Sequence, residues 1–319
     1  MDKVIVNVSS YRRIDSLEKT IKSIYHQCDV INIALNDNHD DLPLFLYDTK
    51  INLFLTDNSL GDAFKFINLK NQDGYFFTID DDLIYPSNYV SETIKKCLEF
   101  NNKKVITYHG RSFKSFPISS YYRSANERYA CLENVENDVK VQFGGTGVMC
   151  FHTSLFKIPI EYFKFPNMAD IWIGKYCMEN KIDIICLKHP KGYIQYTPQK
   201  TTIYDVESKN DFIQTQVVNS IFDKTISLEN LKNYSKNNPL VQTPNIPIPQ
   251  PTPLPHEPVK ITKTLEKTQK QINYDKINSI FQISRSKVIS QQQPKQETSH
   301  LKLNSQTFSK IQKPKKRFK

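Results

Sequence analysis

Five residues, Tyr75, Phe76, Phe77, Thr78 and Ile79, run directly into three carboxylates, Asp80, Asp81 and Asp82. The first five are all aromatic or β-branched. Such a short run reads as a strand buried on both faces of a sheet. A buried strand that ends in three aspartates delivers negative charge to the edge of that sheet. In open α/β sheets, ligands bind at that edge, beyond the carboxyl ends of the strands. Three adjacent carboxylates repel one another, so something has to offset them. A hard divalent cation with oxygen ligands is the simplest candidate. An exposed acidic turn, with one Asp capping the next helix, accounts for the triplet equally well on its own.

The sequence around this stretch alternates between two periodicities. Residues 4–8 form a β-rich run, followed by the polar loop Ser9, Ser10, Tyr11, Arg12 and Arg13. Asp15 and Glu18 have capping-box spacing, and Ile14, Leu17, Ile21, Ile24 and Tyr25 recur at helical spacing behind them. Residues 30–35 and 51–55 read as further strands, ending in Asn36-Asp37-Asn38 and Thr56-Asp57-Asn58. Residues 63–67 suggest a short amphipathic helix. After Pro86, the residues Val90, Ile94, Cys97 and Leu98 share a helical face, and 104–108 is another strand. The order β-α-β-β-α-β-α-β over residues 1–108 predicts a mostly parallel sheet with helices on its faces. Three of its strands end in Asp or Asn, which fits one polar site on one edge.

The pattern weakens over 110–139, where aromatics are scattered among Ser, Arg and Asn. A long irregular segment of this kind suggests a lid over a site. Residues 141–151 look like a strand, a turn carrying Gly144, Gly145 and Gly147, and a second strand. The glycines permit positive φ or close approach to a ligand, and a bulged hairpin is the plainer reading. A helix is expected from about 167 to 180, a strand over 182–187 and a last helix over 205–219.

Composition changes near residue 237. Pro-rich residues 239–259 predict an extended linker, and 260–319 is rich in Lys, Gln, Ser and Asn. That tail is expected to be disordered and basic, leaving 1–238 as the folded domain. From His256 onward the chain holds 15 Lys and Arg against 4 Asp and Glu, so the whole-chain net charge of +10 belongs to the tail. No apolar run is long enough to span a membrane, and the six cysteines show no Cys-x-x-Cys pair. With no signal-peptide pattern at residues 1–6, these features predict a cytoplasmic protein with reduced thiols, in a bacterium, or in host cytoplasm or virion if viral.

Taken in order, residues 3–205 resemble the GT-A-fold glycosyltransferases, especially the family 2-like enzymes of the small bacterial and large-DNA-virus type. Ile79-Asp80-Asp81-Asp82 is similar to the DxD element. Ser9 to Arg13 falls where the family's nucleotide-binding loop falls. Asn36-Asp37 resembles the nucleobase-contacting carboxylate, and Gly61-Asp62-Ala63-Phe64-Lys65 the segment that holds the nucleotide and diphosphate. Gly144 to Gly147 sits where a glycine turn lines the acceptor side. Met168-Ala169-Asp170-Ile171 resembles the acidic helix start that carries the base in inverting members. Two features depart from the pattern. The first loop lacks the usual proline before its aromatic, and the base region has one acid where many members have Glu-Asp.

The resemblance implies a GT-A (Rossmann-like) α/β fold and transfer of a sugar from a nucleotide-sugar, with a UDP-sugar expected, to a hydroxyl of a glycan, protein or other acceptor. It implies inversion of configuration and a Mn²⁺ or Mg²⁺ cofactor. The donor would then fall to Ser9, Tyr11, Arg13, Asp37, Lys65, Asp80 and Asp81. The metal would fall to Asp82, with Asp80 beside it and His189 completing the set, and the proton of the acceptor hydroxyl to Asp170. In an extended segment Asp80 and Asp82 point the same way, which would let one hold the metal and the other the ribose. A nucleotidyltransferase acting on sugar phosphates is the nearest rival, but it would want glycines in the first loop. A phosphatase with paired aspartates would carry them on its first strand. A non-catalytic role, with the tail binding polyanions or a partner protein, is the alternative from a different class.

Overall fold

The computed structural model describes residues 2–36 and 42–237. Strand β1 (Val4–Ser10) is central, as its apolar run requires: Ile5, Val6 and Val8 are fully buried. Helix α1 (Ile14–Ile24) lays Leu17, Ile21 and Ile24 on the sheet. Arg13, not Asp15, is its N-cap, and no side chain caps it. The expected capping box does not form, because Asp15 already lies in the first turn and Glu18 pairs with Lys22 one turn on, at 2.7 Å.

Strands β2 (Val30–Leu35) and β3 (Ile51–Leu55) follow in parallel with β1. Residues 61–66 form a 3₁₀ helix that is buried at Gly61, Ala63, Phe64, Lys65 and Phe66, so it is an interior element and not the amphipathic surface helix expected. Strand β4 (Tyr75–Ile79) is buried at every position. Its successive side chains serve opposite faces: Phe76 joins the core around Phe64, Phe151 and Trp172, and Phe77 the core around Leu17, Ile33 and Tyr89.

After the short β5 (Leu83–Ile84), helix α2 (Tyr89–Glu99) buries Val90 and Cys97 but leaves Leu98 56% exposed. At 3.6 residues per turn Leu98 points about 80° away from Val90, which takes it off the packed stripe. The chain continues through β6 (Val105–Thr107), β7 (Gly110–Ser112), β8 (Glu127–Tyr129), β9 (Val139–Val141), β10 (Phe143–Gly144) and β11 (Val148–His152). Helix α3 (Ala169–Glu179), β12 (Ile184–Cys186) and β13 (Gln195–Tyr196) lead to α4 (Ile203–Glu207), α5 (Phe212–Asn219) and α6 (Leu228–Asn237).

The main sheet has eight strands in the order β3-β2-β1-β4-β11-β6-β12-β9. All run in one direction except β11 and β9, so the sheet is mostly parallel with helices on its faces, as expected. The segment expected to be irregular instead supplies β7 and β8, which pair with β10 in a second, three-stranded sheet. Strands β10 and β11 are therefore not partners in a hairpin. The glycine turn between them carries the chain from one sheet to the other.

The helix expected over 205–219 is broken into α4 and α5. Asp211 sits at the break without capping α5. Its carboxylate is instead taken by Ser120 Oγ at 2.5 Å and the Tyr122 N–H at 2.9 Å. The described residues belong to one compact unit, and among them no helix is long and apolar enough to cross a membrane. All six cysteines are free thiols. Asp37, the linker 239–259 and the tail 260–319 lie outside the described residues.

Candidate active site

A cleft of about 1880 Å³ opens at the carboxyl ends of β1 and β4. The loop after β1, the buried 3₁₀ helix, the aspartate triplet, the glycine turn and the start of α3 all contribute to its lining. Hydrogen bonds of Asn36 and a close approach at Gly61 set these elements. Asn36 donates to Asn58 Oδ1 at 3.0 Å and to the Gly61 carbonyl at 2.9 Å, and accepts from Thr56 Oγ1 at 2.6 Å. This holds the ends of β2 and β3 against the 3₁₀ helix. Gly61 has φ +55°, and a Cβ there would lie 2.0 Å from Asn167 Oδ1, so only glycine lets the 3₁₀ helix meet the approach to α3.

The aspartates sit in a turn after β4, not in an extended segment. The turn separates Asp80 from the other two. Asp80 Oδ1 lies 2.5 Å from the Lys65 ammonium, whose side chain is 2% exposed. Asp81 and Asp82 share one guanidinium: Arg13 Nη1 is 3.1 Å from Asp81 Oδ1 and 3.0 Å from Asp82 Oδ2. Arg13 also donates to the Thr201 carbonyl at 2.6 Å, and Ser10 Oγ donates to Asp81 Oδ2 at 2.7 Å. The main-chain N–H of Asp80 donates to Tyr85 Oη, and that hydroxyl donates to the Gly147 carbonyl, which ties the triplet to the glycine turn.

Positive charge does not balance this edge. The cleft lining carries eight carboxyl groups against five Lys and Arg. Burial, reinforced by the like charges of Asp80 and Asp81, pushes the Asp82 carboxyl up to about 7 against the pull of Arg13 and Lys65. Burial likewise raises the Asp62 carboxyl to about 7, with Lys65 opposing and Asp170 adding to the rise. Burial works against the charge on Lys65, but Asp80 and Asp62 outweigh it and its ammonium titrates above the ordinary lysine range. His109 is held down to about 4, first by burial and then by Arg111, so it is neutral.

Helix α3 brings the remaining acid. Met168 is its N-cap and Asp170 lies in its first turn. Asp170 Oδ2 accepts the Tyr121 hydroxyl at 2.6 Å, and Oδ1 accepts the Ile171 N–H at 2.9 Å. The Ala169 N–H donates to the Asp62 carboxylate at 3.2 Å, so Asp62 ties the helix start to the element that carries Lys65.

Of the residues singled out in the sequence, Ser9, Tyr11, Arg13, Lys65, Asp80, Asp81, Asp82 and Asp170 all line this cleft. His189 does not. It is 4% exposed, its Nδ1 lies 2.7 Å from the Leu187 carbonyl and its Nε2 3.4 Å from that of Ala130, and its ring packs on Tyr108 and Tyr193. The backbone pairing of Val135 with His189 turns the ring into the core, so both nitrogens face carbonyls and neither is offered to a metal in the cleft. Among the described residues, no group of three or more His, Cys, Asp and Glu side chains is placed to hold a metal unaided.

The glycine turn works by close approach. Gly144, Gly145 and Gly147 all have ordinary negative φ. A Cβ on Gly147 would lie 1.9 Å from Asp80 Oδ2, and one on Gly145 would lie 2.8 Å from the His109 side chain. His109, Arg111, Tyr121 and Tyr122, drawn into or behind the cleft wall, carry no signal in the sequence, and Asp62 stands out there only within the Gly61–Lys65 segment. The others come from the segment without readable periodicity.

No family model matches the chain, and no curated protein matches it. Solved structures with which it aligns include S. aureus TarS, with 14% identity and a TM-score of 0.44, covering 71% of this chain and 40% of that one. They also include S. aureus TarS 1-349 in complex with UDP-GlcNAc, with 13% identity and a TM-score of 0.46, covering 73% of this chain and 75% of that one. The chain thus spans well under half of the longer TarS structure.

Proposed function

We propose that this chain is a GT-A-type glycosyltransferase. It moves a sugar from a nucleotide-sugar, a UDP-sugar in the first instance, to a hydroxyl acceptor with inversion. The observation that carries this reading is the aspartate turn at the end of β4, which opens onto the same cleft as Asp170 and holds more carboxylate than its cations neutralise. The donor set suits a hard divalent cation such as Mn²⁺ or Mg²⁺. Asp80 has a side chain 45% exposed, and Arg13 engages only Oδ2 of Asp82. Such ions are held by one or two carboxylates together with substrate phosphates, so a complete protein cage is not needed. When bound, the cation would offset the charge that develops on the diphosphate leaving group.

The other tasks fall to the chain. Arg13 and Lys65 fix the carboxylates and supply positive charge where a diphosphate would lie. Ser9 and Tyr11 border the nucleotide end. Asp170, oriented by the Tyr121 hydroxyl and the Ile171 N–H, takes the proton of the attacking hydroxyl. The basic tail is an adjunct to this activity and serves to tether the enzyme to a polyanion or partner. Incubation with UDP-, GDP- and TDP-sugars and Mn²⁺ tests the reading through release of nucleoside diphosphate. Release from one of these, abolished by Asp170→Asn, is expected, and release from none of them with any acceptor offered refutes it.

A further inference from the structure

Arg111 is a cation in the cleft without a carboxylate. It stands on β7 and its guanidinium lies over two rings, 4.4 Å from the centroid of Tyr121 and 5.4 Å from that of Tyr122. One donor, Nη1, is spent on the Tyr121 carbonyl at 3.2 Å. Its other N–H groups find no acceptor among the described residues, and the side chain lines the cleft. Arg13 and Lys65 are both ion-paired, whereas Arg111 forms no ion pair among the described residues. Tyr121 stands between it and the nearest acid: its ring and carbonyl hold Arg111 while its hydroxyl holds Asp170.

We propose that Arg111 recognises an anionic group, a carboxylate or a phosphate, on the acceptor. Arg111 is half-buried, and the stacking on two tyrosines fixes its fork without consuming the N–H groups that face the cleft. A planar fork held in this way matches an oxyanion bidentately. The acceptor is favoured over the donor diphosphate by position. Asp170 is among the charges that act on Arg111, whereas the diphosphate belongs by the aspartate triplet with Arg13 and Lys65. The side chain of Tyr204 meets the Tyr122 ring edge-on at 5.3 Å and extends this wall toward the cleft mouth, giving the rest of the acceptor an aromatic surface.

This inference rests on the proposed glycosyl transfer, and its test separates the two. The full chain, with UDP and Mn²⁺ present, is titrated with glucose 6-phosphate, glucuronate and glucose, and binding is read by calorimetry. The same series is run on Arg111→Gln and on Arg111→Lys, each checked for an unchanged unfolding temperature. The expected result is binding of one anionic sugar and not of glucose, weakened about tenfold or more in Arg111→Gln and only partly restored in Arg111→Lys. Whether the phosphate or the uronate binds names the source of the anion. Equal affinity in wild type and Arg111→Gln assigns any anion binding to the basic tail and overturns the inference. So does binding of glucose alone or of none of the three. The UDP and Mn²⁺ response, read first and by itself, reports on the donor site whatever the sugars do.

Discussion

The Tyr121 hydroxyl donates to Asp170 Oδ2 at 2.6 Å, from a side chain that is fully buried against Phe113 and Phe143. A carboxylate at the mouth of a helix could adopt several rotamers, and this bond, with the Ile171 N–H on the other oxygen, selects one. Removing the hydroxyl should leave donor affinity intact and slow the chemical step. Tyr121→Phe is expected to lower kcat about tenfold with little change in KM for the nucleotide-sugar, since misplaced catalytic groups cost rate rather than binding. Equal rates in the two proteins would show that the Tyr121 hydroxyl does not orient Asp170 for the chemical step.

The Lys65–Asp80 pair is asymmetric, because Lys65 is buried while Asp80 is half exposed. Lys65 also faces Asp62, so deleting Asp80 leaves the buried ammonium a carboxylate, whereas deleting Lys65 leaves Asp62 and Asp80 without their cation. Asp80→Asn should therefore destabilise the fold by about 1–3 kcal/mol, below the cost of breaking a fully buried pair. Lys65→Met should cost more than Asp80→Asn. Chemical denaturation of both variants measures the order, and a smaller loss in Lys65→Met would contradict it.

Both Asp62 and Asp82 are pushed by burial to about 7, above the ordinary carboxylate range. The native state thus holds protons that the unfolded chain has already released between about pH 4 and pH 7. Stability contributed by these groups is fully present below pH 4 and is lost as pH rises through 7. The slope is at most about 1.4 kcal/mol per pH unit for each group. Unfolding temperature without ligand should fall from pH 5 to pH 7.5, and Asp62→Asn should flatten part of that fall. Adding Mn²⁺ and nucleotide should flatten more of it, because a cation favours the ionised form of Asp82.

Much of this fold could be read in advance because its strands are short apolar runs with turn residues between them. Residues 30–35, 51–55 and 75–79 fall in strands as expected, and the acidic edge follows from where β4 stops. The failures share a cause. Leu98 and the 63–67 helix follow local spacing and His189 follows the resemblance, and tertiary contacts decide the exposure of each. Tyr121, Arg111 and His109 lie where no period runs, because only Arg111 sits on a strand, a three-residue one, while His109 and Tyr121 are in the loops around it, and their roles arise only when α3 is brought alongside.

Gly147 provides a test of geometry that involves no charge. A methyl group there would fall 1.9 Å from Asp80 Oδ2. Gly147→Ala should displace Asp80 and weaken the response to nucleotide and metal about tenfold, with the fold retained. An unchanged response would mean that Asp80 is not a donor-site residue.

Thermal unfolding of the full chain against UDP-, GDP- and TDP-sugars, with and without Mn²⁺, tests the donor site most directly. A ligand at 100 times its Kd adds about 2.7 kcal/mol, which is readily seen as a shift in Tm. The expected result is stabilisation by one nucleotide, dependent on Mn²⁺ and lost in Asp82→Ala. The absence of a shift with every nucleotide, or a shift of equal size in Asp82→Ala, would contradict it.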